Sequence, residues 1–308
     1  MKIGVTGGAG FIGSWVVDEL LSLGHDPIIF DHIRNRSSYN NLEVEVFLGD
    51  VRDQTAMTEL AAHVDGIIHL AAVLGTQETI KNPRPAAESN LMGGLNFLEA
   101  VAQYEIPGTY ICVGNHWMNN TYSISKTMIE KFARMFNKER STKINLVRCV
   151  NAYGPRQSIA APYGSSKVRK ITPSFVCRAL NGDPIEIYGS GNQVSDMVYV
   201  ADVAKALVAA LFAPLSDDVI EVGPSNSNTV NEVAELVADL VADRGYKKVP
   251  INHLPMRPGE NPDDRVSANN LTCLNIGIDP SSFMELNDGL NNTITWYESQ
   301  KNISWFGV

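Results

Sequence analysis

The stretch KIGVTGGAGFIG, residues 2–13, constrains the fold more than any other part of the chain: a short apolar run passes through a glycine-rich turn directly into a helix start. Glycines fall at positions 7, 10 and 13, a GxxGxxG spacing. Residues without a Cβ allow the tight turn and a close backbone approach, and the unpaired N–H groups at a helix start favour a pyrophosphate. Gly7, Gly10, Phe11, Ile12 and Gly13 are therefore candidate dinucleotide contacts. A strand, such a turn and a helix open a βαβ unit, which calls for a parallel sheet.

The following sequence repeats that alternation. Short apolar runs (PIIFD, VEVFLGD, GIIHLAA, TYICVG, KINLVRCV) are separated by segments of helical periodicity such as PAAESNLMGGLNFLEAVAQY, residues 85–104. The expected fold class is α/β, a Rossmann-type doubly wound parallel sheet with a smaller C-terminal substrate-binding lobe. Residues 1–155 are expected to form the NAD-binding domain and 156–308 mainly the second lobe, where the sequence turns Pro- and Gly-punctuated with helices near 172–181, 201–213 and 229–243. The run DVIEVG, 218–223, reads as a further strand of the first sheet.

The second strand ends in Asp31, about 20 residues past the glycines, where a carboxylate can accept hydrogen bonds from an adenosine ribose and repel a 2′-phosphate. NAD is favoured over NADP on this ground. Arg34 and Arg36 stand near enough to hold such a phosphate, although solvated loop charges are the simpler reading. A net charge of −9 excludes a general basic field for nucleic acid, so any phosphate must be held locally. Four widely spaced cysteines without CxxC pairs indicate neither a metal site nor a disulfide framework, and a cytoplasmic location is expected. No apolar stretch is long enough to suggest a membrane span.

Within GNHWMNNTYSISK, residues 114–126, Tyr122 and Lys126 are four positions apart and would share one face of a helix. An ammonium beside a phenol stabilises the phenolate. A tyrosine acting as base near neutrality needs roughly three pKa units, about 4 kcal/mol, of such help.

Taken together, TGGAGFIG, GDVRD (49–53), HLAA (69–72), ESNLMGGLNFLEA (88–100), YSISK, VRCVNAYGPRQ (147–157), IYGSGNQVSDMVYVADVA (187–204) and RPGE (257–260) extend over nearly the whole chain. In these segments the chain resembles the extended short-chain dehydrogenase/reductase family, especially its NAD-dependent nucleotide-sugar epimerases and dehydratases. The resemblance implies that Asp50 and Val51 flank the adenine and that Leu70, Ala71 and Ala72 line the cofactor cleft. It implies that Tyr122 and Lys126 are the catalytic pair, that Asn151 contacts the diphosphate region of a nucleotide-diphosphate sugar, and that Arg257 pairs with its phosphates. A homodimer is implied as well, built from helices at about 86–104 and 122–140. Met128, Phe132, Met135 and Phe136 form a stripe on the second, which could equally be internal core.

Two departures from the family pattern stand out. Ser195 occupies a position where the family usually has an arginine, leaving Lys167, Arg169 or Lys170 as candidate replacements. Family members also place a Ser or Thr at the end of the fifth strand, some twenty residues before the tyrosine. Here the aligned position falls near Gly114 or Asn115, so the partner for a sugar hydroxyl comes from Asn115, His116, Thr121 or Ser123, or is missing. Asn115 is the first candidate, since its amide both donates and accepts. Related dehydratases and decarboxylases carry carboxylates after that strand and GNHWMN has none, which favours an epimerase, conventionally at C4 of a UDP-hexose. A dehydratase, a dehydrogenase or a non-catalytic sugar-nucleotide binder are the alternatives.

Overall fold

A computed structural model describes residues 1–32, 43–224, 226–257, 260–261 and 264–301. The first half alternates as its periodicity dictates: β1 (Lys2–Thr6), α1 (Phe11–Ser22), β2 (Asp26–Asp31), β3 (Glu45–Leu48), α2 (Gln54–Ala62), β4 (Gly66–His69), α3 (Glu78–Lys81), α4 (Pro83–Ala87), α5 (Gly93–Tyr104), β5 (Gly108–Cys112), α6 (Thr121–Glu139) and β6 (Ile144–Cys149). Continuing, the chain forms β7 (Ala152–Tyr153), α7 (Ile171–Asn181), β8 (Ile185–Tyr188), β9 (Val194–Ser195), β10 (Val198–Tyr199), α8 (Val200–Phe212), β11 (Ile220–Val222), α9 (Val230–Ala242), β12 (Ile251–Leu254), β13 (Arg265–Val266) and α10 (Leu286–Gln300).

Among the described residues, seven parallel strands form the central sheet in the order β11-β6-β5-β4-β1-β2-β3. Ile3, Val5, Ile29, Ile68 and Val147 on one face pack against α1 and α8, while Ile28, Phe30, Ile67, Tyr110 and Leu146 on the other pack against α2, α5 and α6. Burial on both faces is why these strands are short, nearly continuous apolar runs. The strand order reverses between β1 and β4, and a crevice opens beyond their carboxyl ends, as expected for such a sheet. The run expected at 218–223 supplies β11, which pairs with β6 at Ile220↔Val147 and takes the sheet edge.

A second apolar cluster, with Phe175, Val176, Ile187, Val233, Val237, Leu290 and Tyr297, unites α7, α9, α10 and β8. The Tyr297 hydroxyl donates to the Gln157 carbonyl at 2.8 Å, tying α10 to the segment that leaves the sheet. Among the described residues no helix is long and apolar enough to cross a membrane.

One element differs from the sequence expectation. The helical segment read over 85–104 is interrupted by a π-helical turn at Glu88–Met92. Its physical cause is Asn90, whose buried side chain accepts from the Val73 N–H at 2.8 Å and donates to the Val73 carbonyl at 3.1 Å. Widening the helix by one residue aims Asn90 at that loop, and π turns of this kind often accompany functional sites. The expected stripe on α6 also divides: Phe136 is buried and Phe132 packs on the same core, while Met128 and Met135 face outward.

Candidate active site

The turn after β1 has the shape its glycines permit. Gly7 adopts a φ of +71°, and a Cβ there would lie 2.9 Å from the Ala71 nitrogen. A Cβ on Gly13 would meet the Gly7 carbonyl oxygen at 2.2 Å, so only glycine lets α1 start this close to the turn. Gly10 caps α1 without a side-chain hydrogen bond, leaving the first N–H groups of the helix open to the cavity. Asp31, buried at the end of β2, accepts from the Ala9 N–H at 3.2 Å and lies 3.1 Å from the His32 ring. Its carboxylate therefore faces the crevice from a fixed position. Arg34 and Arg36 lie outside the described residues.

Farther along the same wall, Asp50 is held by a two-pronged contact from Arg52 at 2.6–3.0 Å, which keeps its carboxyl below the usual carboxylate range. Val51 is buried, and its carbonyl accepts from the Asn96 amide at 2.9 Å. Leu70, Ala71 and Ala72 follow β4, where the Thr6 hydroxyl accepts from the Leu70 N–H at 3.1 Å. All these residues except Thr6 and Asn96 line one cavity of about 630 Å³ that continues past Tyr122 and Lys126 to Asn151 and Arg257. That volume accommodates a cofactor or a comparable ligand.

The catalytic helix candidate, α6, is capped by Asn120, whose side chain accepts from the Ser123 N–H at 2.9 Å. Tyr122 and Lys126 face the cavity one turn apart. Lys126 is only 2% exposed, its Nζ finds no hydrogen-bond partner among the described residues, and it sits 4.0 Å from the centroid of the Tyr110 ring. Burial lowers its pKa to about 7 and raises that of Tyr122 to about 12, with Cys112 adding to the latter. A buried ammonium without a partner beside an open cleft fits a site completed by hydroxyl groups of a bound ligand. The cofactor's ribose is the chemistry available there, so cradle, Asp31 and Lys126 together fit a dinucleotide.

The end of β5 is fixed from below. Arg148 is buried, donates to the Val113 carbonyl at 3.1 Å and forms ion pairs with Glu130 of α6 at 2.8 Å and Glu221 of β11 at 2.7 Å. The four residues named as partners for a sugar hydroxyl then separate. Asn115 lines the cavity, its amide donating among the described residues to the Met118 sulfur at 2.9 Å, a weak acceptor that a ligand can displace. His116 is exposed outside the cavity lining, with Nδ1 near the Gly114 carbonyl and its ring edge-on to Trp117. Thr121 donates to the Thr79 carbonyl at 3.0 Å, and Ser123 is fully buried; neither lines the cavity.

At the far end Asn151, with φ +32°, donates to the Ser195 hydroxyl at 2.7 Å and the Asp196 carbonyl at 3.0 Å. Ser195 is thus spent on orienting Asn151. Arg257 stacks over the Tyr188 ring at 4.9 Å and is gripped by Glu260 at 2.5–2.9 Å. Arg169 and Lys170 line the cavity, whereas Lys167 is exposed outside it. Sequence reasoning missed Thr172, buried at the start of α7 on the cavity wall with a hydroxyl that has no partner among the described residues. It missed Asn90 and Thr79 as well, whose roles come from partners far along the chain.

Asp31 yields a direct expectation: NAD should bind at least about tenfold tighter than NADP, a difference of about 1.4 kcal/mol. Titration of both by tryptophan quenching measures it, and equal affinities would move the choice of cofactor to residues other than Asp31.

Comparison with known proteins places this geometry. A UDP-glucose 4-epimerase from Thermotoga maritima, solved with UDP-glucose, superimposes with a TM-score of 0.85 at 27% identity, covering 97% of this chain and 99% of that one. A UDP-N-acetyl-alpha-D-glucosaminuronate decarboxylase of Bacillus cytotoxicus is 26% identical over 97% of this chain and 98% of its own length. A dTDP-glucose 4,6-dehydratase from an Actinoplanes species is 27% identical over 99% and 100% respectively. Residues 3–223 match the family model itself, so the chain belongs to the NAD dependent epimerase/dehydratase family, and its cofactor is NAD.

Proposed function

We propose that the chain is a nucleotide-sugar epimerase that inverts one sugar carbon, C4 of a UDP-hexose, through a transient keto-sugar. The observation that carries this reading is the placement of carboxylates on the described cavity wall. Asp31 and Asp50 stand at the adenosine end and Glu186, Glu260 and Asp264 at the far end, and the segment between β5 and Tyr122, residues 113–121, contributes none. Eliminating water requires an acid at the leaving hydroxyl, and the segment that runs from β5 to Tyr122 gives the cavity wall only Val113, Gly114, Asn115 and Met118 among the described residues. Tyr122 with Lys126 suits removal and return of a proton.

NAD, when bound, supplies the acceptor and then the donor of a hydride. Tyr122 takes the proton of the sugar hydroxyl, with the Lys126 ammonium stabilising the phenolate and the Asn115 amide orienting the hydroxyl. The keto-sugar would turn in the cavity, and Tyr122 would return the proton to the sugar oxygen. Only six residues separate Gly114 from α6, which leaves this end of the cavity open for the turn.

The nucleotide part is assigned to the far end. Asn151, Arg257, Lys170 and the uncapped start of α7, with the Thr172 hydroxyl, supply donors and positive charge for a diphosphate. Met92, Ile124, Met128 and Met135 are exposed on the surface of the π turn and α6, which supports a homodimer through that face; light scattering at micromolar concentration should give twice the chain mass, and a monomer would reject it.

Incubation with UDP-glucose, UDP-N-acetylglucosamine and dTDP-glucose tests the function. The expected product is the corresponding C4 epimer with no net NADH. A 4-keto-6-deoxy sugar would establish a dehydratase, stoichiometric NADH a dehydrogenase, and binding without turnover a non-catalytic member.

A further inference from the structure

The loop that starts at Val73 and leads to Thr79 gives Val73, Leu74 and Thr76 to the cavity wall, and it is fastened at both ends. At its start Asn90 grips both backbone groups of Val73 and reaches on to the Ser125 hydroxyl at 3.2 Å. Ser125 in turn donates to the carbonyls of Thr121 and Tyr122. At its end stands Thr79, 2% exposed. The Thr79 hydroxyl donates to the Gly75 carbonyl at 2.7 Å, which turns its lone pairs toward the Tyr122 N–H, 3.3 Å away. Its carbonyl accepts from the Thr121 hydroxyl at 3.0 Å.

The first amides of a helix have no partner within the helix. In α6 the Asn120 side chain satisfies that of Ser123, and the amide of Tyr122 itself is satisfied by Thr79. Leu74 and Thr76, between the two fastenings, line the cavity. One side chain therefore joins this part of the cavity wall to the backbone of Tyr122. Between Gly114 and Asn120 the bonds among the described residues are mostly within the segment itself, such as the Asn115 amide to the Met118 sulfur and the Met118 N–H to the Asn115 carbonyl, with the Thr127 hydroxyl reaching the His116 carbonyl at 3.5 Å.

We infer that Thr79 is a positioning residue: its hydroxyl sets the start of α6, and with it the Tyr122 oxygen, relative to the loop Val73–Thr79. The inference rests on the reading of Tyr122 as the base. Displacement of a reacting group by a fraction of an ångström to 1 Å costs about tenfold to 10²-fold in rate without changing what binds.

Thr79→Val keeps the shape of the side chain and removes the hydroxyl, whereas Thr79→Ser keeps the hydroxyl and removes a methyl group. With UDP-glucose as substrate, Thr79→Val should lower kcat at least about tenfold, with KM and NAD affinity within about twofold of wild type. Thr79→Ser should recover kcat to within about threefold of wild type. Peptide-resolved hydrogen exchange should show the Tyr122 amide opening at least about tenfold faster in Thr79→Val and unchanged in Thr79→Ser. Should Thr79→Val fail to fold, Thr79→Ala removes the same hydroxyl without a new methyl group in its place and carries the same expectation. A wild-type kcat in the valine variant, or equal losses in valine and serine variants, would overturn the inference. If the wild-type protein turns over none of the three sugar nucleotides, the proposed function falls, and amide exchange alone decides the role of Thr79: unchanged exchange in Thr79→Val rejects it.

Discussion

Tyr122→Phe should reduce turnover of the sugar nucleotide by about 10³-fold or more, within the range for loss of a positioned acid-base group, while NAD affinity stays within about twofold. Phenylalanine keeps the ring that packs at the start of α6 and removes only the oxygen that faces the cavity. The effect should fall on kcat, because the missing oxygen is needed when the proton moves and contributes little to holding either ligand. Asn115→Ala provides the comparison, with an expected loss of about 10²-fold for one orienting hydrogen bond. Steady-state kinetics with a parallel NAD titration separates the two. A phenylalanine variant with more than a tenth of wild-type kcat would remove Tyr122 from the chemistry.

Lys126→Met should cost nearly as much, about 10³-fold in kcat, and should also weaken NAD binding. In the protein without ligands, burial works against both partners, lowering Lys126 to about 7 and raising Tyr122 to about 12. Catalysis needs the opposite charges, an ammonium and a phenolate, so removing the cation leaves the phenol near the upper value. The pH at which the rate levels off should therefore move upward in the variant. The same burial has a stability signature. Between about 7 and the usual 10.5 the unfolded chain holds a proton on Lys126 that the folded chain has released, so this residue makes stability rise with pH through that window. Below the lower value the full cost of the buried ammonium remains. Lys126→Met should accordingly raise the Tm of the cofactor-free protein at pH 7 by roughly 2 °C or more, with the gain shrinking toward pH 10. A lowered Tm in calorimetry would show that the ammonium stabilises the empty site.

The elements that position this chemistry were legible in the sequence because their signals are local. The apolar runs around Ile3, Ile29, Ile68 and Val147 are buried on both faces and announce themselves as strands, and the glycines at 7 and 13 have backbone collisions that no other residue tolerates. Even Ile220–Val222, far along the chain, carries the same pattern. The π turn was not legible, since it exists to aim Asn90 at Val73, a partner that no local periodicity records. The same limit applies between Gly114 and Ser123, where four polar candidates looked alike. Thr79 and the Asn120 cap fix the start of α6, which directs Thr121 and Ser123 away from the cavity, leaves His116 in solvent and puts Asn115 on the wall. In the aperiodic stretch before α7, the helix start decides that Lys170 reaches the cavity and Lys167 does not.

The most direct measurement of the central claim is to incubate the purified protein with UDP-glucose deuterated at C4 and follow both sugar and cofactor. The expected result is UDP-galactose that retains deuterium at C4, without accumulation of NADH, because the hydride leaves one face and returns to the other within a single binding event. Epimerisation with loss of the label to solvent, or conversion to a deoxy-keto sugar, would contradict it.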